Sequence, residues 1–386
     1  MTCFLIVTPR DSMIARDGRP FGVGQGHRMK SLDWPYPSVL AGSLRTLLGK
    51  RLFPGFGAAA VAALKQVGIA GPLPFSHERL YFPAPKDLVV RDHPRACFAL
   101  RPSALGEGEG CDLPHPALLP VMLPPTADED FKPGKAPAFW CSERMTEWLL
   151  NAAGAAFTLP EQPEPPSFLG APEKDERMHV AIEFATGAAE EGLLYKTVGL
   201  ALPCHIAFAA RLDFQNELPP EVAKLDAFHT FGGERRLARF SLHSTKEWNC
   251  PAPVAAALEN APHVRLMLAT PAIFSGGWKP GWLNERLEGS PPGSGVALRL
   301  RGACLDRWRP ISGWSLEPLP DSRKPGPKPV RRLVPAGGVY FFETLAGDPA
   351  GLARNLWLRS VCDDPQDRRD GFGLALWGLW DHHPGK

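Results

Sequence analysis

Arginines set among glycines and aromatic rings are the residues of this 386-residue chain best suited to chemistry, and the chemistry they suit is the gripping of phosphate. The first such segment is ARDGRPF at 15–21, continued by GQGHRMK at 24–30. It gathers Arg16, Arg19, His27, Arg28 and Lys30 into one glycine-rich loop. Glycine lets a backbone approach a phosphate closely, and a guanidinium fork matches two phosphate oxygens at once. The second, TFGGERRLARF at 230–240, sets Gly232 and Gly233 ahead of Arg235, Arg236 and Arg239. Phe231 and Phe240 there offer faces on which any base could stack. The bland alternatives are a solvated basic loop and a β-turn leading into an amphipathic strand. A third segment, 268–282, carries Trp278, Lys279 and Trp282 on a Gly/Pro loop. Tryptophan in such a loop is more often an apolar anchor, which leaves Lys279 as the nucleic-acid candidate. Near the C-terminus, RRDGFGLALWGLW at 368–380 sets Arg368 and Arg369 before Gly371, Gly373 and Gly378. This is not GxxxxGK[ST], so a Walker-type nucleotide site is a poor reading, whereas a glycine loop against an RNA backbone stays open.

Catalytic and metal signals are weak. There is no GxSxG, HExxH or HD pair. Cys111 and His115 lack two further ligands at regular spacing, and Cys204 and His205 are adjacent and point apart. His27 and His77 could serve as acid or base only as any histidine could. No catalytic residue, metal or cofactor is therefore assigned. The eight cysteines include no CxxC pair and read as free thiols of a cytoplasmic protein. The opening MTCFLIVTPRD lacks a signal-peptide pattern, and no apolar run approaches the ~18 residues of a membrane span. The net charge of +2 argues neither for nor against nucleic acid, so any RNA site must come from local clustering.

The elements that would position these residues are mostly short strands. The length suggests two domains. The 43 prolines and 38 glycines suggest stiff loops rather than low complexity. Segment 3–8 reads as a buried strand, and 38–52 as a helix with Ser38 as its cap. Segments 79–82 and 87–90 read as a hairpin, 92–137 as an irregular insertion and 139–152 as a helix. The alternating segment 177–184 pairs with 193–198 in a long hairpin. A second strand-rich half starts at 205–212, with a short helix at 219–227 and strands at 239–242, 264–269, 296–300 and 338–342. Short strands with few helices indicate α+β rather than a Rossmann sheet.

Seven segments in order carry a resemblance: RDSMIARDGRPF, LYFPAPKDL, ERMHVAIEFATGAAEEGLLY, TFGGERRLARF, LATPAIFSGGW, GGVYFFE and DGFGLALWGLW. Together they resemble the RAMP-superfamily subunit of the type III-B CRISPR (Cmr) effector that adjoins the large palm-domain subunit. The likeness covers most of the chain, 92–137 excepted. It implies two ferredoxin-like (RRM-like) domains. Residues 1–200 would form the first, with an insertion at about 92–176 and a thumb hairpin at about 177–198. Residues 201–386 would form the second, with a glycine-rich loop at 371–378. It also implies a non-catalytic role: gripping the 5′ tag of the guide RNA (crRNA) and linking the large subunit to the backbone RAMP subunits, with target RNA an indirect partner. The thumb tip would be Thr186 to Gly192, including Gly187, Glu190 and Glu191, acting as a wedge. Two rivals are a metal-independent RAMP endoribonuclease that processes repeat RNA, with His27 its suspect, and an RNA-independent structural adaptor.

Overall fold

The computed structural model describes all residues except 17–27, 30, 94, 126, 128–129, 155–156, 161–164, 316–317, 319–323 and 383–386. In β1 (Thr2–Pro9) the alternate residues Cys3, Leu5 and Val7 are buried, the period of a strand with one face in a core. α1 (Pro37–Leu52) starts after an extended Tyr36 with Pro37 in its first turn, where a missing N–H has no partner to lose. Ser38, the expected cap, lies inside that turn. Leu40, Leu44, Leu47 and Leu48 fall on one helix face and pack on Leu5, Val7, Phe208 and Phe240 of the sheet.

α2 (Ala58–Gln66) leads to β2 (Gly68–Ser76), β3 (Arg79–Pro83), β4 (Phe139–Cys141), α3 (Ser142–Leu150) and β5 (Phe168–Leu169). A long hairpin follows, β6 (Glu173–Ile182) and β7 (Ala189–Ala201), then β8 (Ala207–Asp213), β9 (Asp226–Thr230) and β10 (Leu237–His243). One antiparallel sheet takes the order β5-β4-β3-β2-β8-β1-β10-β9. After α4 (Ala252–Ala257) come β11 (His263–Leu268), β12 (Glu288–Gly289) and β13 (Ala297–Cys304). A two-stranded arm then pairs β14 (Arg309–Ile311) and β15 (Trp314–Ser315) with β17 (Arg331–Leu333) and β16 (Gly326–Pro327), respectively. β18 (Val339–Ala346), α5 (Ala350–Leu356), α6 (Pro365–Asp370) and β19 (Ala375–Leu379) complete the chain. The second antiparallel sheet runs β12-β13-β18-β11-β19.

Both sheets contain the same unit. The four strands β1, β2, β8 and β10, and again β11, β13, β18 and β19, lie in the order second, third, first, fourth. In each unit the link from second to third strand is greatly lengthened. It holds the β6–β7 hairpin in the first half and the arm in the second. β8 pairs with β1 and β2, and β10 with β1 and β9, so the first sheet runs on past the division expected at 200. Residues 79–83 pair with β2 and β4, while 88–91 pair with 96–99, so the hairpin expected between them is not formed. The segment expected to be helical at 219–227 is turns leading into β9.

The lengthened link of the first half is bolted to the second sheet by buried charge. Asp87 receives Arg101 at 3.1 Å and Arg265 of β11 at 2.5 Å, and the Trp148 indole at 2.9 Å. Arg101 also donates to the Asn151 and Ala152 carbonyls, and Arg265 to that of Trp148. Two guanidiniums thus share one carboxylate, and the carbonyl end of α3 supplies the remaining negative potential. Burial, then neighbouring Arg265, pull the Arg101 pKa down to about 9 against the opposing pull of Asp87.

Candidate nucleic-acid interface

The turn at 230–236 lies across the loop at 11–16. The Gly233 N–H donates to the Ile14 carbonyl at 2.6 Å. Gly232 has φ +82, and a side chain there would strike the same carbonyl, so glycine is required. Ser43 of α1 donates to the Thr230 carbonyl at 2.5 Å. Loop, turn and helix line a groove of about 360 Å³ whose walls include Ala15, Gly42, Ser43, Thr46 and Gly233. Small side chains and bare backbone are what a phosphodiester chain can approach. Arg16 stands exposed on the groove wall. Arg235, exposed and in the left-handed region at φ +51, projects from the turn.

The hairpin is tied to this groove at its base. Asp11 takes an ion pair from Arg236 and another from Arg177 of β6 at 3.3 Å. Arg177 also holds Asp175 at 2.6 Å, and the Ser12 hydroxyl donates to Asp175 at 2.5 Å. The Ser12 backbone N–H first, then Arg236 and Arg177, keep the Asp11 carboxyl below its usual range. Met13 and Leu200 of β7 exchange backbone hydrogen bonds at 2.9 and 2.7 Å.

The sequence-predicted residues separate into several groups. Arg16, Gly232, Gly233, Arg235 and Arg236 converge, although Arg236 is engaged by Asp11. Arg239 lies on the adjoining sheet face and is held by both Asp226 oxygens at 2.8 and 2.6 Å. Arg19, His27 and Lys30 lie outside the described residues, as does the Arg28 side chain; the Arg28 backbone pairs in parallel with β7. Phe231 is 1% exposed and stacks edge-on against Phe208 at 5.2 Å, and Phe240 is buried beside it. Neither ring is open to a base, which corrects the stacking role expected of them. The ring that faces outward is Phe228 of β9, 54% exposed, with the Arg10 guanidinium 5.3 Å above it and Arg239 opposite in register.

Lys279 turns its ammonium to the Leu283 and Asn284 carbonyls at 3.3 Å, closing its own loop. Arg368 donates to the Cys362 and Asp363 carbonyls and Arg369 to that of Lys65. With Arg211 and Arg359 they line a separate cleft of about 510 Å³ beside the opposite end of β1. The glycine-rich loop is buried, which corrects its expected exposure to RNA. A Cβ at Gly371 (φ +90) would lie 2.6 Å from the Ile69 carbonyl, and one at Gly373 2.7 Å from the Cys362 sulfur. A Cβ at Gly378 would lie 2.6 Å from the Leu149 carbonyl, so Gly371 and Gly378 allow close packing between the halves, and Gly373 close packing within the second. In the hairpin, Thr186 and Gly187 occupy the tip, closed by the Gly187 N–H on the Glu183 carbonyl at 2.9 Å. Glu190, Glu191 and Gly192, expected at the tip, already belong to β7. Among the described residues no three His, Cys, Asp or Glu side chains are grouped to hold a metal, and no helix is long and apolar enough to cross a membrane.

Residues 5–380 match the model of a family of CRISPR-associated proteins, Cas_Cmr3, and the chain belongs to that family. Its fold is similar to a chain of the type III-B Cmr-beta complex bound to cognate target RNA: 15% identity, TM-score 0.45, covering 88% of this chain and 86% of that one. It is also similar to a chain of the Csm3–Csm4 subcomplex of the type III-A CRISPR–Cas interference complex: 13% identity, TM-score 0.41, covering 90% of this chain and 94% of that one. No curated protein matches it.

Proposed function

We propose that this subunit grips the 5′ tag of the guide RNA in a type III-B effector, and joins the large palm-domain subunit to the backbone RAMP subunits without cutting RNA itself. The observation that carries the proposal is the meeting of the 11–16 loop and the 230–236 turn over α1, which puts two arginine–glycine motifs from distant parts of the chain on one groove. Phosphates in that groove would be held by Arg16 and Arg235 without regard to sequence. Sequence preference needs splayed bases, and Phe228 beside Arg10 and Arg239 offers an open face for one. The hairpin tied to the groove through Asp11 serves as the thumb, a wedge against the RNA. On this reading the repeated strand order is that of two ferredoxin-like, RRM-like units, and the protein works in the cytoplasm.

The test is binding of the chain, alone and with its large-subunit partner, to guide RNA with an intact or scrambled tag across a salt series. Preference for the intact tag with no cleavage is the expected result. Cleavage of repeat RNA in EDTA would replace this reading with a processing enzyme, and absence of RNA binding in both forms would leave an adaptor. Arg235→Ala should lower the salt slope by about 0.7, the value for one single-strand phosphate contact. An unchanged slope removes Arg235 from the site.

A further inference from the structure

The arm at 305–334 differs from the rest of the surface. It carries seven Lys/Arg against three Asp/Glu, together with Trp308 and Trp314. Trp308 is 49% exposed and Trp314 64%, in a chain that fully buries Trp140, Trp148, Trp377 and Trp380. The base of the arm is firmly held. Ile311 and Leu333 are buried in the core of the second half, and Arg331 grips buried Asp367 of α6 with two bonds at 2.6 and 2.9 Å. Beyond that base most of its described residues are exposed. The Arg332 guanidinium lies 5.1 Å over the Trp308 ring. Arg307, Arg332 and Lys328 have no carboxylate partner among the described residues, and Trp314 stands opposite Pro327 in register.

We propose that this arm is a second nucleic-acid contact, on which Trp308 and Trp314 stack against the bases of single-stranded RNA while Arg307, Lys328 and Arg332 hold its phosphates. Every base has a π-face, so aromatic stacking within a basic strip binds single strands with little regard to sequence. An exposed tryptophan can also anchor a protein interface. Such anchors, however, sit in apolar, desolvated surroundings from which lysine is depleted. Here each tryptophan has basic and proline neighbours, and exposed Arg307, Lys328 and Arg332, without a carboxylate partner among the described residues, suit a chain of phosphates. The inference shares with the tag-binding reading only the expectation that RNA is the ligand. The arm belongs to the second half of the molecule and the groove to the first.

The experiment measures anisotropy of a labelled, untagged oligouridine of roughly 16 nucleotides with the full chain, beside a tagged guide RNA. The wild type should bind oligouridine in a salt-dependent manner. The double variant Trp308→Ala/Trp314→Ala should bind it at least about tenfold more weakly, and Trp308→Phe/Trp314→Phe should stay within about threefold of wild type. Both substitutions are at exposed positions, so unfolding temperatures should match. Arg235→Ala should retain oligouridine binding while weakening binding of the tagged guide RNA. Wild-type affinity in the double Ala variant, or no oligouridine binding by the wild type, overturns the proposal. So does a double Ala variant that binds RNA normally but no longer associates with the large subunit, since the arm is then a protein contact. A wild type that binds oligouridine through the arm yet ignores the tag sequence would sink the tag reading and leave the arm standing.

Discussion

The β6–β7 hairpin and the arm occupy the same place in their two halves, between the second and third strands of the repeated unit, and their surfaces are opposites. The hairpin at 173–201 holds six Asp/Glu and three Lys/Arg. Its exposed ridge is apolar: Met178, Val180, Ile182 and Phe184, with Leu194 beside them. The arm is basic, with exposed tryptophans. An acidic hairpin is repelled by a polyanion at a distance, so the proposed wedge would have to act by insertion of its apolar ridge. A basic arm is drawn in by the same field. The topology thus decides where each excursion projects, and the side chains decide what it does when it arrives.

They also differ in how they are anchored, which yields the largest expected effect. The link that carries the hairpin is locked through Asp87 to two buried arginines. Removing the carboxylate leaves both guanidiniums buried without an anion, so Asp87→Ala should cost about 3–5 kcal/mol. On the arm, Arg332→Ala should change stability by less than about 0.5 kcal/mol. Chemical unfolding of the full chain reads both, and equal responses would break the contrast. Next comes the junction of hairpin and groove. Gly232→Ala forces a side chain against the Ile14 carbonyl at φ +82 and should cost about 1–3 kcal/mol, with loss of RNA preference. A variant as stable as wild type would show that the turn is not clamped. The hairpin itself contributes little to the core. Deleting 187–191 should leave the fold intact but shift the positions at which a reconstituted effector cuts its target; unmoved cuts would end the wedge assignment.

Much of this was legible in the sequence. α1 was readable to within one residue because its leucines keep helical spacing. The long hairpin followed from the alternation of 177–184 and the two glycines of ATGAAEEG before 193–198. The two motifs that build the groove were recognisable by their glycine–arginine composition, although nothing in the sequence brings them together. Other features were hidden for physical reasons. Alternation in RMHVAIEF announces two faces but not which one meets water, and here the apolar face is the exposed one. Phe231 and Phe240 lie close to arginines in the sequence, whereas the phase of β9 and β10 decides exposure and turns Phe228 outward instead. Segment 205–212 was identified as a strand, but its partners, β1 and β2, lie on the far side of the insertion. The glycines at 371–378 look the same in sequence whether they face a phosphate or a neighbouring backbone. The arm shows no periodic apolar pattern, and its prolines mask a ladder that only pairing reveals.

The smallest effect concerns His229, and it distinguishes groove from arm by pH. His229 on β9 lines the groove, is 7% exposed, and its Nε2 has no hydrogen-bond partner among the described residues. Burial, and secondarily the charge of Lys50, lower its pKa from the ordinary 6.5. The unfolded chain therefore takes up this proton more readily than the native one. The contribution of His229 to stability is fully present above pH 6.5 and declines as pH falls below that value toward the lowered native pKa. Unfolding temperatures of wild type and His229→Gln should differ most at acid pH and keep a constant difference at alkaline pH. Phosphate in the groove favours the charged imidazole, so tag binding should strengthen modestly as pH falls from about 8 to about 6, and His229→Gln should flatten that rise. The arm at 305–334 contains no histidine, so oligouridine binding there should stay level over the same range. Equal pH dependence for the two RNAs would mean that both occupy one surface.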